Sequence, residues 1–383
     1  MYFESDQDAL LYKSVTSIST KLSKYLSAQE GNVLYSPLSI SLALLLLLNG
    51  TSEQAESRDE LLAYFSIEGD KCGQLAQLNS VISTSLKEYL SQSVGGTEDK
   101  EHTEFIVGNS LWGNHVLPSY ADKIQRLFEA EGFPVPKNGK EVNDWIERKT
   151  NGHLKQFFED DKRFSHNSVM LLNSVYFRGT WAKSFDPVHT RSGEFSTGKT
   201  QKVQTSMMHS DGKKWEYKET EKYQVLRLPY NEEKFSASIV LPREVLTFQE
   251  AESMMTQEEW DFVYLQRSMD REGSVVLPKF DLELSFQLKE GLEQFGVKKV
   301  FDRTVSGLNE LSALPIEVKE IHHKCRIQVD ETGSTASAAT AILMVAFCLP
   351  PPPFRFECNR PFYFVIHTDR GIPLFVSYIQ NPQ

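Results

Sequence analysis

The chain has 383 residues, of which 40% are apolar and 24% charged, the balance of a globular protein able to bury a sizeable core. Its net charge of −11, with basic residues scattered among acids, excludes the clustered Lys and Arg that binding to nucleic acid or an anionic membrane requires. The apolar stretch Leu42 to Leu48 is too short to span a bilayer and predicts a helix buried on all sides.

The first half predicts mainly helices. Asp8 to Leu26 carries apolar residues at three- and four-residue spacing. Ser36 and Pro37 open a second helix and Gly50 closes it. Helices over Ser52 to Phe65 and Leu75 to Leu90 follow, then a polar connector from Gly95. Phe105 to Trp112 predicts a strand; Tyr120 to Glu129 and Lys140 to Thr150 predict helices. The second half turns to strands rich in β-branched and aromatic residues: Val169 to Phe177, Val203 to Met208, Tyr223 to Tyr230, Phe235 to Leu241, Gly273 to Pro278 and Phe280 to Ser285. Helices over Thr247 to Leu265 and Gln287 to Phe295 interrupt them. Phe362 to His367 and Leu374 to Tyr378 form a last pair of strands around the turn Asp369-Arg370-Gly371. No linker and no internal repeat divides the chain, so residues 1–383 predict one α+β domain.

The N-terminus lacks the charged start and apolar core of a secretory signal. Cys72, Cys325, Cys348 and Cys358 show neither metal-type nor disulfide-dense spacing, so free thiols are expected, which suits a reducing compartment. One glycosylation triplet, Asn49-Gly50-Thr51, ends the buried-looking helix, a position that disfavours occupancy.

Enzyme signatures fail. There is no Gly-x-Ser-x-Gly elbow, His-Glu-x-x-His, phosphate-binding glycine loop or dinucleotide fingerprint. His322 and His323 resemble a ligand pair, but neighbours on a strand point to opposite faces, so structural roles are expected and no metal or cofactor is implied. Cys348 has no nearby base or positive charge to activate it.

One segment does not fit an ordinary globular protein. Thr332 to Leu349 has no charge and no proline; its first half is almost wholly Gly, Ala, Ser and Thr, its second half apolar, and Pro350 to Pro353 follow. It has the composition of a strand buried on both faces, yet the turn glycine and the prolines mark it as loop. By the period of two, Ser334, Ala336, Ala338 and Thr340 share one face and Thr335, Ser337, Ala339 and Ala341 the other; all are small.

Glu331 to Pro353 closely resembles the hinge and reactive loop of the serpins, the conformationally trapping protease inhibitors. Phe356 to Ile366 resembles the family's C-terminal signature, Asn32 to Ile40 the start of its second helix, and Asn173 to Trp181 its long central strand. His323 stands eight residues before Glu331, as the family's histidine does. The resemblance implies a serpin fold: eight or nine helices around three β-sheets, with an exposed reactive loop at about 332–354. One segment departs from the pattern. Phe128 to Trp145 is several residues short and carries Pro134 and Pro136 where an edge strand should run. A truncated edge strand and a shortened helix near 129–145 are therefore expected, which puts in doubt the usual packing across the front of the main sheet.

The resemblance further implies a monomeric suicide substrate that traps a serine protease in a covalent complex. Glu331, Gly333, Ser334, Ala336, Ala338, Ala339 and Thr340 match the hinge. Ser36, Ser39 and Asn173 match the cluster under the main sheet where its strands part; Trp181 and His323 match the point where the loop first enters. About fifteen inserted residues at ~3.3 Å each would carry the protease ~50 Å, and loss of its oxyanion-hole and triad geometry would stop deacylation. The seventeenth residue from Glu331 is Phe347, which puts the cut at Phe347–Cys348. Counting back from Pro361 lands near Pro350 instead, because about three extra residues follow the bait. Insertion length is what trapping constrains, so the hinge count is kept, with Ala346 or Cys348 as the nearest alternatives and Arg355 as a trypsin-type one. A Phe bait suits a hydrophobic slot, hence chymotrypsin-like or cathepsin G-like proteases. No basic helix supports activation by heparin-like polymers. Family resemblance favours the extracellular space, with the cytoplasm as the alternative. Non-inhibitory members that act as chaperone, carrier or storage protein tend to carry charged, bulky or proline residues in the hinge; this chain has none there.

Overall fold

The computed structural model describes residues 5–69, 71–91, 103–166, 168–231, 234–266, 268–332 and 352–383. In chain order these form α1 (Asp6–Leu26), β1 (Val33–Tyr35), α2 (Pro37–Gly50), α3 (Glu56–Tyr64), α4 (Lys71–Ser91), β2 (Glu104–Trp112), α5 (Pro118–Phe128), β3 (Glu131–Phe133), α6 (Gly139–Lys149) and β4 (Ser168–Arg178). There follow β5 (Arg191–Ser196), β6 (Lys202–Glu219), β7 (Tyr223–Pro229), β8 (Phe235–Pro242), α7 (Phe248–Met254), α8 (Gln257–Leu265), β9 (Met269–Pro278), β10 (Phe280–Gln287) and α9 (Lys289–Gln294). Last come β11 (Glu317–Val329), β12 (Phe354–Glu357), β13 (Phe362–Thr368) and β14 (Pro373–Ile379). None of the described helices is long and apolar enough to cross a membrane.

The helix over Thr247 to Leu265 divides in two at Met255. Two Thr-x-x-Glu runs each start a helix: the Thr247 side chain accepts from the Glu250 N–H in a full capping box, and Thr256 accepts from the Glu259 N–H. α2 follows its cap signals. Ser36 accepts from the Ser39 N–H, Pro37 takes the first turn, and all fourteen residues are buried. Asn49, near its end, is also buried, and its Nδ2 donates to Leu45 O and to Asn79. A glycan on that nitrogen would have to displace both bonds.

Five strands form one sheet in the order β10-β11-β4-β2-β3. The remaining nine are hydrogen-bonded into one continuous sheet, β1-β14-β13-β8-β7-β6-β9-β12, with β5 on β6. The expected third sheet is thus joined to the second by β6. Its first half pairs with β5 and its second half with β7, across a register shift between Ser210 and Lys213. The β13–β14 turn closes through Thr368 N–H to Ile372 O, at the expected hairpin.

β4 shows how the five-stranded sheet sits. Val169, Leu171, Val175 and Phe177 face the main core with α2; Met170 and Leu172 face a second cluster with Trp112, Trp145, Ile146, Leu154 and Phe158 under α6. Burial on both faces explains its near-continuous apolar sequence. The edge strand β3 is three residues long and stops before Pro134; α6 has eleven residues, capped by Asn138. The front of the sheet is covered nonetheless. Trp112 stacks on Phe133 at 4.4 Å and meets Trp145 edge-on at 6.3 Å.

Gly139 shows how tightly α6 is seated, since a Cβ there would lie 1.9 Å from Glu159 O. Gly139→Ala should therefore cost about 2 kcal/mol or more by overpacking, read as a lower urea midpoint with an unchanged slope.

Candidate functional site: the centre of the five-stranded sheet and the ends of the 333–351 segment

At the centre of the sheet, three strands place polar residues side by side on the face turned to α2. Asn109 of β2 lies opposite Asn173 of β4, and Asn173 lies opposite His323 of β11. All are buried, with His323 and Asn173 fully so. Ser36 N–H donates to His323 Nε2 at 3.2 Å. That nitrogen is therefore the acceptor, and Nδ1 carries the proton it gives to Asn173 Oδ1 at 2.5 Å. Asn173 Nδ2 reaches Ser39 O (2.9 Å), Ser39 Oγ (2.6 Å) and Asn109 Oδ1 (2.6 Å). One amide thus ties β4 to β2, to β11 and to the first turn of α2. Of the residues expected here, Ser36, Ser39 and Asn173 are brought together.

His323 joins this cluster rather than Trp181. Seven residues of extended strand separate it from Asp330, about 23 Å at ~3.3 Å each, so one histidine cannot serve both places. Trp181 sits where β11 ends. Its Nε1 donates to Asp330 O at 3.0 Å, its backbone N–H to Thr332 O at 3.5 Å, and its ring stacks on Tyr230 at 4.4 Å. Glu331, the first hinge residue, pairs with Lys279 at 2.6 Å and accepts from Thr190 Oγ1 at 2.7 Å. Burial pushes its carboxyl up, but Lys279 and Thr190 outweigh that and hold it below the ordinary range. Gly333, Ser334, Ala336, Ala338, Ala339, Thr340, Phe347 and Cys348 lie outside the described residues.

Between Glu317 and Ile327, β11 runs parallel to β4 and directly beside it. The other neighbours of these strands, β10 and β2, are antiparallel to them. On the front face, Lys324 is buried, pairs with Glu283 at 2.7 Å and donates to Gln156 O. Arg326 donates to His153 O at 2.9 Å and holds Asp281 with two nitrogens, at 2.9 and 2.7 Å. These cations hold the segment after α6 across β11. His322, on the same face, pairs with Glu320 at 2.8 Å and meets Phe158 edge-on. Arg355, weighed as a bait, is a rung of β12 opposite Ser274 and pairs with Glu357 at 2.5 Å.

Sequence reasoning missed Asn109, Lys279 and Thr190. Asn109 had a signal, since Gly108-Asn109-Ser110 is a polar triplet inside an apolar strand. Lys279 and Thr190 had none, because only the chain fold brings them to Glu331.

Comparison with known proteins agrees with this arrangement. Residues 13–382 match the sequence profile of the serpins, described as serine protease inhibitors. Human serpin B4 is 27% identical over 376 residues, 94% of this chain and 96% of that protein. Iripin-2 of Ixodes ricinus is 27% identical over 382 residues, covering 97% and 93%. Among solved structures, Arabidopsis AtSerpin1 in its native stressed conformation aligns with a TM-score of 0.84 and 24% identity over 99% of this chain and 100% of that one. Mouse protein-Z dependent protease inhibitor aligns at 0.82 with 22% identity over 98% and 99%. The chain belongs to the serpin family. The general activity of that family is protease inhibition rather than catalysis, and its members are found both outside and inside cells.

Two tests follow from the central cluster. Asn173→Ala leaves the His323 Nδ1–H and the Ser39 and Asn109 groups without their partner, and should cost about 3 kcal/mol in urea unfolding. His323 and His367 are both fully buried, and burial lowers each pKa to about 3. Free imidazole titrates near ~6.5. The folded protein then binds fewer protons than the unfolded one, so this stability is complete above pH ~6.5 and is lost as pH falls toward ~3, at up to ~1.4 kcal/mol per pH unit for each group. His323→Gln should remove about half of that slope between about pH 6 and about pH 4. An unchanged slope would mean that His323 is not a buried neutral base.

Proposed function

We propose that this chain inhibits serine proteases of the chymotrypsin-like class, cathepsin G-like enzymes included, as a monomeric suicide substrate that needs no cofactor. The observation that supports this most is the parallel contact of β11 with β4, with residues 333–351 continuing from the end of β11. A chain that turns back at the end of β11 runs antiparallel to β11. It therefore runs antiparallel to β4 as well, and a strand entering between them gains a ladder on both sides.

The protease serine attacks the carbonyl of Phe347, the bond to Cys348 breaks, and the new amine of Cys348 takes up a proton. Residues 334–346 then enter between β4 and β11 while Phe347 stays esterified to the enzyme. At about 1 kcal/mol net per hydrogen bond, thirteen inserted residues gain on the order of 10 kcal/mol. Glu331, Gly333, Ser334, Ala336, Ala338, Ala339 and Thr340 serve as hinge, and Ser36, Ser39, Asn173 and His323 hold the strands that must part. Trp181 closes the entry. We place its action in the extracellular space, with a cytoplasmic site as the alternative.

Mixing the protein with chymotrypsin is the direct test. An SDS-stable adduct of the summed mass is expected. Cleavage without an adduct would overturn inhibition and favour a chaperone, carrier or storage role. Phe347→Arg should transfer adduct formation from chymotrypsin to trypsin. Ala338→Arg places a charge between strands, where burial is very costly, and should leave the loop cut with the adduct lost.

A further inference from the structure

Downstream of the loop, the chain re-enters the described structure at Pro352 and is held there by groups the proposed function has not used. Arg271 of β9 donates to Pro352 O from both Nε (3.1 Å) and Nη2 (2.9 Å). Its third nitrogen, Nη1, meets Glu219 at 3.3 Å. Glu219 in turn accepts from Arg243 at 2.6 Å and from the Tyr217 hydroxyl at 2.8 Å. The Arg271 guanidinium lies 5.4 Å from the Tyr217 ring centre, and that ring stacks on Phe354 at 4.0 Å and 8°. Gln224 bridges the Tyr217 hydroxyl to Arg355 O. Gly273, opposite Phe354, leaves the space for the ring, since a Cβ there would lie 2.5 Å from it.

These contacts form two successive holds. Phe354 is fixed by its stack and by the ladder with β9. Pro352, two residues earlier, cannot donate to a ladder because it has no N–H; its carbonyl is taken by Arg271 instead. We propose that Arg271 is a positioning residue that sets where the loop's C-terminal stem begins, and so which bond within 346–349 meets the protease. This rests on reading 333–351 as the bait loop. With Pro352 held, four residues lie between it and Phe347, Cys348 to Pro351. Without Arg271 the first fixed point retreats to Phe354. Two more residues become free, about 7 Å of reach, enough to slide the register by two bonds. The same hold takes up two residues, Pro352 and Pro353, of the sequence's surplus of about three after the bait.

Arg271→Met removes every donor; Arg271→Lys keeps a single donor nitrogen. Wild type and both variants are digested with chymotrypsin and with the broad-specificity protease subtilisin, and the fragments released from the loop are sequenced from their N-termini. The expected result is one dominant cut in wild type, cuts spread over two or more bonds of 346–349 in Arg271→Met, and an intermediate pattern in Arg271→Lys, at unchanged melting temperature. Where adducts form, Arg271→Met should also consume more inhibitor per trapped protease than wild type. The same single cut in all three proteins overturns the proposal, as does a spread that appears only with a lowered melting temperature in both variants. If wild type is cut but forms no adduct, inhibition fails while the cut positions still decide the role of Arg271.

Discussion

The rest of the structure depends on the contact between β11 and β4. Two parallel strands lie side by side at the centre of a sheet whose other strands on either side of them run antiparallel to them. Parallel pairs normally arise through crossover connections with both faces covered, and here both faces are covered, but by different means. On the face toward α2, a single amide, Asn173, bonds to β2, to β11 and to the helix. Buried networks of this kind strengthen when complete and are costly when one partner is lost. The pair is therefore held by a cooperative polar lock that is either whole or broken.

The front face is held by charge. Lys324 and Arg326 reach backbone carbonyls of the segment after α6, and each also meets a carboxylate of β10. Apolar contacts there gather around Trp112 and Trp145 under α6 and extend to Phe158, which meets His322 of β11 edge-on. Lys324 is buried, so losing its partner would leave a costly unpaired charge, whereas Arg326 and Asp281 are part-exposed and can regain hydration at moderate cost. The sheet is thus held by a polar lock behind and by ion pairs in front, across the two strands that the proposed function requires to separate.

Much of this was legible in the sequence where the signal was local. The Ser36-Pro37 start of α2 and the strand at β4 follow from cap chemistry and from an apolar run interrupted only by Asn173-Ser174. The division of α7 from α8 was also present in two Thr-x-x-Glu runs, and was hidden by an apolar spacing that continues across Met255. What the sequence did not show was long-range. β5 is largely polar because it is an edge strand, and β12 follows prolines, so neither carries a strand pattern. The union of two sheets through β6 depends on a register shift that no local rule predicts. His323 was expected with Trp181 because the family resemblance matches both to the point where the loop enters; strand length separates them in space.

The two ends of the 333–351 segment are held unequally. At the hinge, Glu331 is tied by one ion pair and one hydroxyl, and the Thr332 carbonyl by a long bond from the Trp181 N–H. Partly exposed ion pairs contribute about 1 kcal/mol or less. At the stem, Phe354 to Glu357 form a ladder with β9, Phe354 stacks on Tyr217, and Arg271 holds Pro352. Were a bond between the two ends cut, as the proposed function requires, the end with the weaker hold, the hinge side, would be the one to move. The asymmetry lies in how the ends are fastened as well as in what the loop is made of, and the two agree in direction.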